Sequence, residues 1–185
     1  MVQEDLQDAK DRMLKAIEAL RQELATVRSG RASPSLVEHL KVDYHGAATP
    51  LHQLATITTP DARLIVIQPW DRAALGVIEK AILRSDLGLN PASDGIVIRL
   101  TIPPLTEERR RELIRHVRKR VEEARIAIRN IRRACHEQIR GLEHDHQISQ
   151  DDLHRGETEL QKLTDEKIKS IDTIGEQKEK ELLAG

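Results

Sequence analysis

The sequence contains no phenylalanine, one tyrosine and one tryptophan, so any hydrophobic core must be built almost entirely from Leu, Ile, Val and Ala. A single cysteine, Cys135, excludes an internal disulfide framework and suits a reducing compartment. No apolar run approaches the roughly 18 residues of a membrane-spanning helix, and the acidic, periodic N-terminus resembles neither a signal nor a transit peptide. A soluble cytoplasmic protein is expected. Proline is absent outside the middle of the chain: all seven lie between Pro34 and Pro104.

That uneven distribution divides the sequence. Before it, Leu6, Met13, Ile17, Leu20, Leu24 and Val27 form one helical stripe, which predicts a first helix of about 27 residues closed at Ser29-Gly30. Between Arg31 and Pro104 the segments are short. "LKVDY", "RLIVIQ" and "IVIRLTI" read as strands, and "DRAALGVIEKAILRS" as one helix capped by Asp71. After "PPLTEERR", a helix start with Thr106 as cap, an apolar seam runs through Ile114, Val117, Val121, Ala124, Ile128, Ile131, Cys135 and Leu142, with one miss at Gln138. A last helix opens at "SQDD", where Ser149 and Asp152 have capping-box spacing, and carries Leu153, Leu160, Leu163, Ile168, Ile171, Ile174 and Leu182. Three long helices with one apolar face each bury those faces most simply as a bundle. The expected fold class is α+β: a long three-helix bundle over 1–29 and 105–185, with a small α/β domain inserted at 30–104.

The formal net charge of −1 conceals an asymmetry. Residues 109–140 hold twelve Lys or Arg against four Glu, whereas residues 143–185 hold six against twelve Asp or Glu. On a helical wheel Arg111, Arg115, Arg118, Arg125, Arg129, Arg133 and Arg140 share one flank of the second long helix, and Arg132 lies between that flank and the seam. Two readings stand. The ridge is a solvated face neutralised by the acidic last helix, or it contacts nucleic-acid phosphate, which the preference for Arg over Lys favours. With two aromatics in the chain, base stacking is a poor explanation, and contact would be to backbone and shape.

No catalytic constellation is present. His144, Asp145 and His146 do not share a helix face, and Cys135 lies on the apolar seam beside His136. "GRASPS" has neither the Gly-Lys-Ser/Thr of a phosphate loop nor a nucleophile elbow. No metal, cofactor or enzymatic activity is expected.

Five stretches, "SGRASPSL" (29–36), "EKAILRSDLGLNP" (79–91), "PPLTEERRRELI" (103–114), "ARIAIRNIRRAC" (124–135) and "ISQDDLHRGETELQKLTDEKIKSID" (148–172), together closely resemble the ribosome recycling factors. The resemblance spans essentially the whole chain. It implies a three-helix bundle with a small α/β domain, L-shaped like transfer RNA. It also implies a function in which the protein binds the post-termination ribosome and, with elongation factor G and GTP, splits it into subunits, allowing release of messenger and transfer RNA. Carried over by position, Arg110, Arg125, Arg129, Arg132 and Arg133 would contact large-subunit ribosomal RNA. Ser29, Gly30 and Arg31, with Ile102, Pro103, Pro104 and Leu105, would form a two-stranded hinge. The expected partners are the ribosome and elongation factor G, with no membrane and a monomeric chain. Trp70 departs from many relatives, where a smaller aromatic stands. A coiled-coil interaction protein and a general RNA chaperone are the alternative readings.

Overall fold

A computed structural model describes residues 1–184. In chain order the elements are α1 (Val2–Ala25), β1 (Lys41–Tyr44), β2 (Ala47–Pro50), β3 (Ala55–Asp61), β4 (Leu64–Pro69), α2 (Leu75–Arg84), β5 (Pro91–Ser93), β6 (Ile98–Thr101), α3 (Glu107–His144) and α4 (Gln150–Ala184). They form two compact units, one of Met1–Arg28 with Glu107–Ala184 and one of Ser29–Thr106. No described helix is long and apolar enough to cross a membrane.

The first unit is the bundle of α1, α3 and α4. Helix α1 buries Leu6, Ala9, Met13, Ile17, Leu20 and Leu24, the three-four spacing of one face. It is shorter than the sequence pattern suggests: it ends at Ala25, where the Thr26 hydroxyl donates to the Glu23 carbonyl at 2.6 Å. Gly30 does adopt a positive φ of 75°, but outside the helix, so its conformational freedom serves the crossing into the second unit. Helix α3 buries Val117, Val121, Ala124, Ile128, Cys135 and Ile139. The apparent miss at Gln138 is filled by the fully buried Ile139 next to it. At 38 residues α3 extends about 57 Å at 1.5 Å per residue.

Helix α4 departs from the expected leucine stripe. Its most buried positions include Gly156, Thr164 and Gly175, while Leu153, Leu163, Ile168 and Ile174 are half-buried flanks. Small residues let the helices approach: a Cβ on Gly175 would stand 2.8 Å from Val121 Cγ2, closer than real side chains come. The turn before α4 closes with His146 at φ 56°. A reciprocal box follows, in which the Asp152 amide donates to Ser149 Oγ at 3.1 Å and the Ser149 amide to Asp152 Oδ2 at 3.3 Å. Hydrogen bonding within this box holds the Asp152 carboxyl below the usual range. The three helices bury apolar faces against one another within one chain.

The second unit packs α2 on one face of a four-stranded antiparallel sheet ordered β3-β4-β6-β5, with β1 and β2 as a separate hairpin. Ile65, Ile67, Ile98 and Leu100 of the sheet meet Ile78 and Ile82 of α2 in its core. The three strands read from the sequence are β1, β4 and β6; β2, β3 and β5 lack a comparable apolar run and each also contains a proline. Proline is tolerated in them, since β3 and β5 are edge strands and Pro50 ends β2. A 3-10 turn at Arg72–Ala74 precedes α2, so the expected single helix is a turn joined to a helix. Asp71 caps that turn by accepting from the Ala73 amide at 2.9 Å, and it accepts from the Tyr44 hydroxyl, also at 2.9 Å, linking β1 to α2. The Ala73 amide first, then Tyr44, depress the Asp71 carboxyl pKa.

Candidate nucleic-acid interface

Helix α3 carries the arginine ridge, and its register decides which guanidinium groups meet carboxylates. In the first turns Arg109 pairs with Glu112 at 2.9 Å, Arg110 with Glu107 at 3.2 Å and Arg111 with Glu107 at 3.3 Å. Farther along, Arg118 reaches Glu179 of α4 at 2.7 Å, and Arg125 lies between Asp172 of α4 at 2.6 Å and Glu122 at 2.9 Å. These bonds push the Arg118 and Arg125 pKa values further above their ordinary range, Asp172 being the larger influence on Arg125. Both pairs border an open groove of about 440 Å³ lined also by Val121 and Gly175, where the two helices approach closely. Arg115 is the exception in this half, with no ion pair to any described residue.

Beyond Arg125 the pairing of the arginines thins out. Arg129 reaches only Glu122, at 3.5 Å, and Arg132, Arg133 and Arg140 make no ion pair with any described residue. The next step of seven on each helix sets Arg132 against Asp165, yet the two make no ion pair, and Asp165 accepts instead from Gln161 on its own helix at 2.9 Å. Arg133 and Arg140 are exposed and Arg132 is half-buried at the edge of the seam. A lone exposed aliphatic, Ile126, shares this solvent side of α3. Of the five arginines expected at an RNA contact, Arg129, Arg132 and Arg133 therefore form one open patch. Arg125 is held by two carboxylates, and Arg110 is largely covered and paired with Glu107.

Sequence reasoning allowed for neutralisation by the acidic last helix but did not identify the individual cross-helix pairs, including His136 to Glu157 at 2.8 Å. A signal for them exists. The turn near residue 147 makes α3 and α4 an antiparallel hairpin, so residues at similar distances either side of it face one another, as 118 with 179 and 125 with 172 do.

The seven expected hinge residues lie in the second unit, at its two chain crossings. The Ala32 amide donates to the Ala62 carbonyl at 2.7 Å and the Ile102 amide to the adjacent Arg63 carbonyl at 2.8 Å, so both crossings are tied to the same β3-β4 turn. Gly30 lies against Leu105, where an added Cβ would stand 3.1 Å from Leu105 Cγ. Ile102 is buried, Leu105 half-buried, and Pro103 and Pro104 exposed.

Nothing in this arrangement is suited to bond chemistry. Burial, then Asp5 and Asp8, push the Cys135 thiol up to about 11, which removes it as a nucleophile near neutrality. Among the described residues no three His, Cys, Asp or Glu side chains converge as metal ligands would.

The chain matches a family model described as ribosome recycling factor over residues 20–183. It is 56% identical over 184 residues to the ribosome-recycling factor of Carboxydothermus hydrogenoformans, covering 100% of both chains. It is 55% identical over 183 residues to that of Thermomicrobium roseum, covering 99% of both. Among solved structures, a solution structure of a ribosome recycling factor matches with a TM-score of 0.76 and 48% identity, over 100% of this chain and 98% of that one. Models for the T. thermophilus ribosome recycling factor and E. coli elongation factor G bound to the E. coli post-termination complex match with a TM-score of 0.63 and 49% identity, over 99% of each chain.

Proposed function

The chain belongs to the ribosome recycling factor family, which consists of translation factors and not enzymes, and from that premise we propose how its two units divide the work of ribosome recycling. The bundle binds the large subunit of the post-termination ribosome, in the cytoplasm, by laying the open patch of Arg129, Arg132 and Arg133 against ribosomal RNA phosphates. The observation that carries this reading is the local loss of pairing: most of the arginines before residue 129 are matched with carboxylates, whereas Arg129 keeps one long pair, to Glu122 at 3.5 Å, and Arg132 and Arg133 have none with any described residue. Leaving several like charges unmatched costs folding free energy through mutual repulsion, and a polyanionic partner offsets it on binding. Arg110 and Arg125 contribute after exchanging a carboxylate for phosphate, so their share is smaller than that of Arg132.

Elongation factor G, with GTP, supplies the force. It acts on the second unit, and the two crossings at 29–31 and 102–105 serve as the hinge. Two crossings anchored on neighbouring carbonyls of one turn favour motion about a restricted axis, unlike a single linker. The factor itself supplies no hydrolytic residue.

The test is subunit release. Purified post-termination complexes are mixed with elongation factor G and GTP, with and without this chain, and light scattering follows dissociation. Release that requires all three components is expected. No release with active elongation factor G removes the reading.

A further inference from the structure

The second unit has its own charged surface, which the phosphate-binding patch does not explain. Between β1 and α2 runs an open groove of about 520 Å³. Leu40, Val77 and Ala81 form its apolar part, and Lys41, Lys80 and Arg84 rise around it. Lys80 and Arg84 are one helical turn apart on α2, and Lys41 faces them from β1. None of the three makes an ion pair with a described residue. The one acid of the rim, Asp43, is likewise unpaired, so the groove keeps a surplus of two positive charges. Residues 29–106 as a whole contain seven Lys or Arg and seven Asp or Glu, so this surplus is a local concentration in a balanced unit.

We propose that the β1-α2 groove is a docking site for an acidic segment of a protein partner, one that places an aliphatic side chain on Leu40, Val77 and Ala81 and carboxylates against Lys41, Lys80 and Arg84. Resting on the reading above, that partner is elongation factor G. Charge complementarity selects an anion, and the apolar floor with Asp43 at its rim selects peptide over nucleic acid. A phosphate backbone has nothing to bury on three aliphatic side chains and is repelled by the carboxylate, whereas a segment that mixes Leu or Met with Asp or Glu uses both features. The two basic residues on α2 repeat at four residues, matching acidic groups about one turn apart on an opposing helix. Exposed rim charges act mainly on encounter rate and salt dependence, and the aliphatic contact on lifetime.

Lys80→Glu/Arg84→Glu tests this in the full chain. Both side chains are exposed, so the fold should survive, and a thermal melt verifies it. The elongation factor G concentration for half-maximal subunit release should rise at least tenfold, with large-subunit binding in its absence unchanged. An unchanged requirement overturns the proposal. So does an equal loss of subunit binding without the factor, which would make the groove a nucleic-acid contact. A second arm is independent of splitting. Lys80→Cys carrying a benzophenone is irradiated on large subunits with elongation factor G and a non-hydrolysable GTP analogue, Cys135 being buried and poorly reactive. Cross-linking to an Asp/Glu-rich peptide of the factor is expected, and cross-linking to RNA or to neither overturns the groove assignment. If wild-type chain releases no subunits while the factor cross-link forms, the recycling reading fails and the groove stands.

Discussion

Arg125 and Arg132 lie on the same helix, two turns apart, with the same chemistry and opposite situations. Arg125 is clamped between Asp172 and Glu122, and Arg132 has no acidic neighbour within ion-pair distance. The same contrast separates Arg118, paired with Glu179, from Arg133. Up to residue 125, α4 approaches through Gly175 with paired carboxylates on its near flank; seven residues earlier along α4, Asp165 is turned to Gln161 of its own helix and leaves Arg132 unpaired. An arginine ridge that looks uniform on a helical wheel is thus two surfaces: one paired across the bundle, and one whose charges stay open. The neutralised-face reading describes the first, and the proposed phosphate contact belongs to the second.

The widest gap between the halves should appear in binding. Arg132→Ala/Arg133→Ala is expected to lower affinity for large subunits by at least tenfold at low salt, because charge-assisted bonds to phosphate are each worth about 1.5–3 kcal/mol. It should also flatten the dependence of log affinity on log salt by about 0.7–0.9 for each phosphate no longer neutralised. Arg118→Ala/Arg125→Ala, which removes as much charge, should change affinity less than the open pair does, since its charges are already neutralised. Sedimentation with subunits across a salt series measures both. Equal losses would mean that the ion pairs to α4 open on the ribosome and that the two halves act as one.

Stability should divide the other way. Gly175→Ala puts a methyl 2.8 Å from Val121 Cγ2, in the paired half, where neither helix has slack. Overpacking of this kind costs about 1–3 kcal/mol, against about 1 kcal/mol gained from better helix propensity. A net loss near 1 kcal/mol lowers Tm by about 2–4 °C for a chain of this size. Gly141→Ala, with nothing within 4 Å of the new Cβ, keeps only the propensity gain and should raise Tm. Opposite signs from one chemical change, read by thermal melts, would locate the tight part of the α3-α4 interface; the same sign from both would deny that Gly175 is needed for close approach.

The bundle was legible because its signal is periodic and local. Met13, Ile17 and Leu20, or Val117, Val121 and Ile128, announce a buried face without knowledge of what covers it. The capping box at Ser149 and Asp152 was legible for the same reason, its partners being three residues apart. What escaped was set by distant residues. Pro60 looked like punctuation, and only the sheet order shows that β3 is an edge that can hold it. Gly175 did not look like core, because close packing there depends on Val121 across the interface, and Thr164 did not because its buried hydroxyl is satisfied by the Leu160 carbonyl of its own helix. The fate of Arg125 depends on Asp172, 47 residues away. The helical wheel located the arginine ridge and the resemblance singled out five arginines for RNA contact; the structure sorted them into paired and open.

The smallest expected effect probes that sorting most closely. Asp172→Asn keeps the size of the side chain beside Arg125 and removes its charge. The pair is partly exposed, 31% and 39% for the two side chains, so stability should fall by no more than about 1 kcal/mol. Binding should move the other way. For a phosphate bound at a separation of about 10 Å, removing one negative charge changes the interaction by about 0.4 kcal/mol in a water-like dielectric, which is a factor of about two. Affinity for large subunits should therefore rise about twofold at low salt, and the gain should fade as the Debye length shortens toward about 8 Å near physiological ionic strength. Glu179→Gln, farther from the open patch, should give less. A fall in affinity for Asp172→Asn at unchanged stability would reverse the assignment of Arg125: Asp172 would then be orienting that guanidinium for phosphate rather than withholding it, and the boundary between the two surfaces would lie before residue 125.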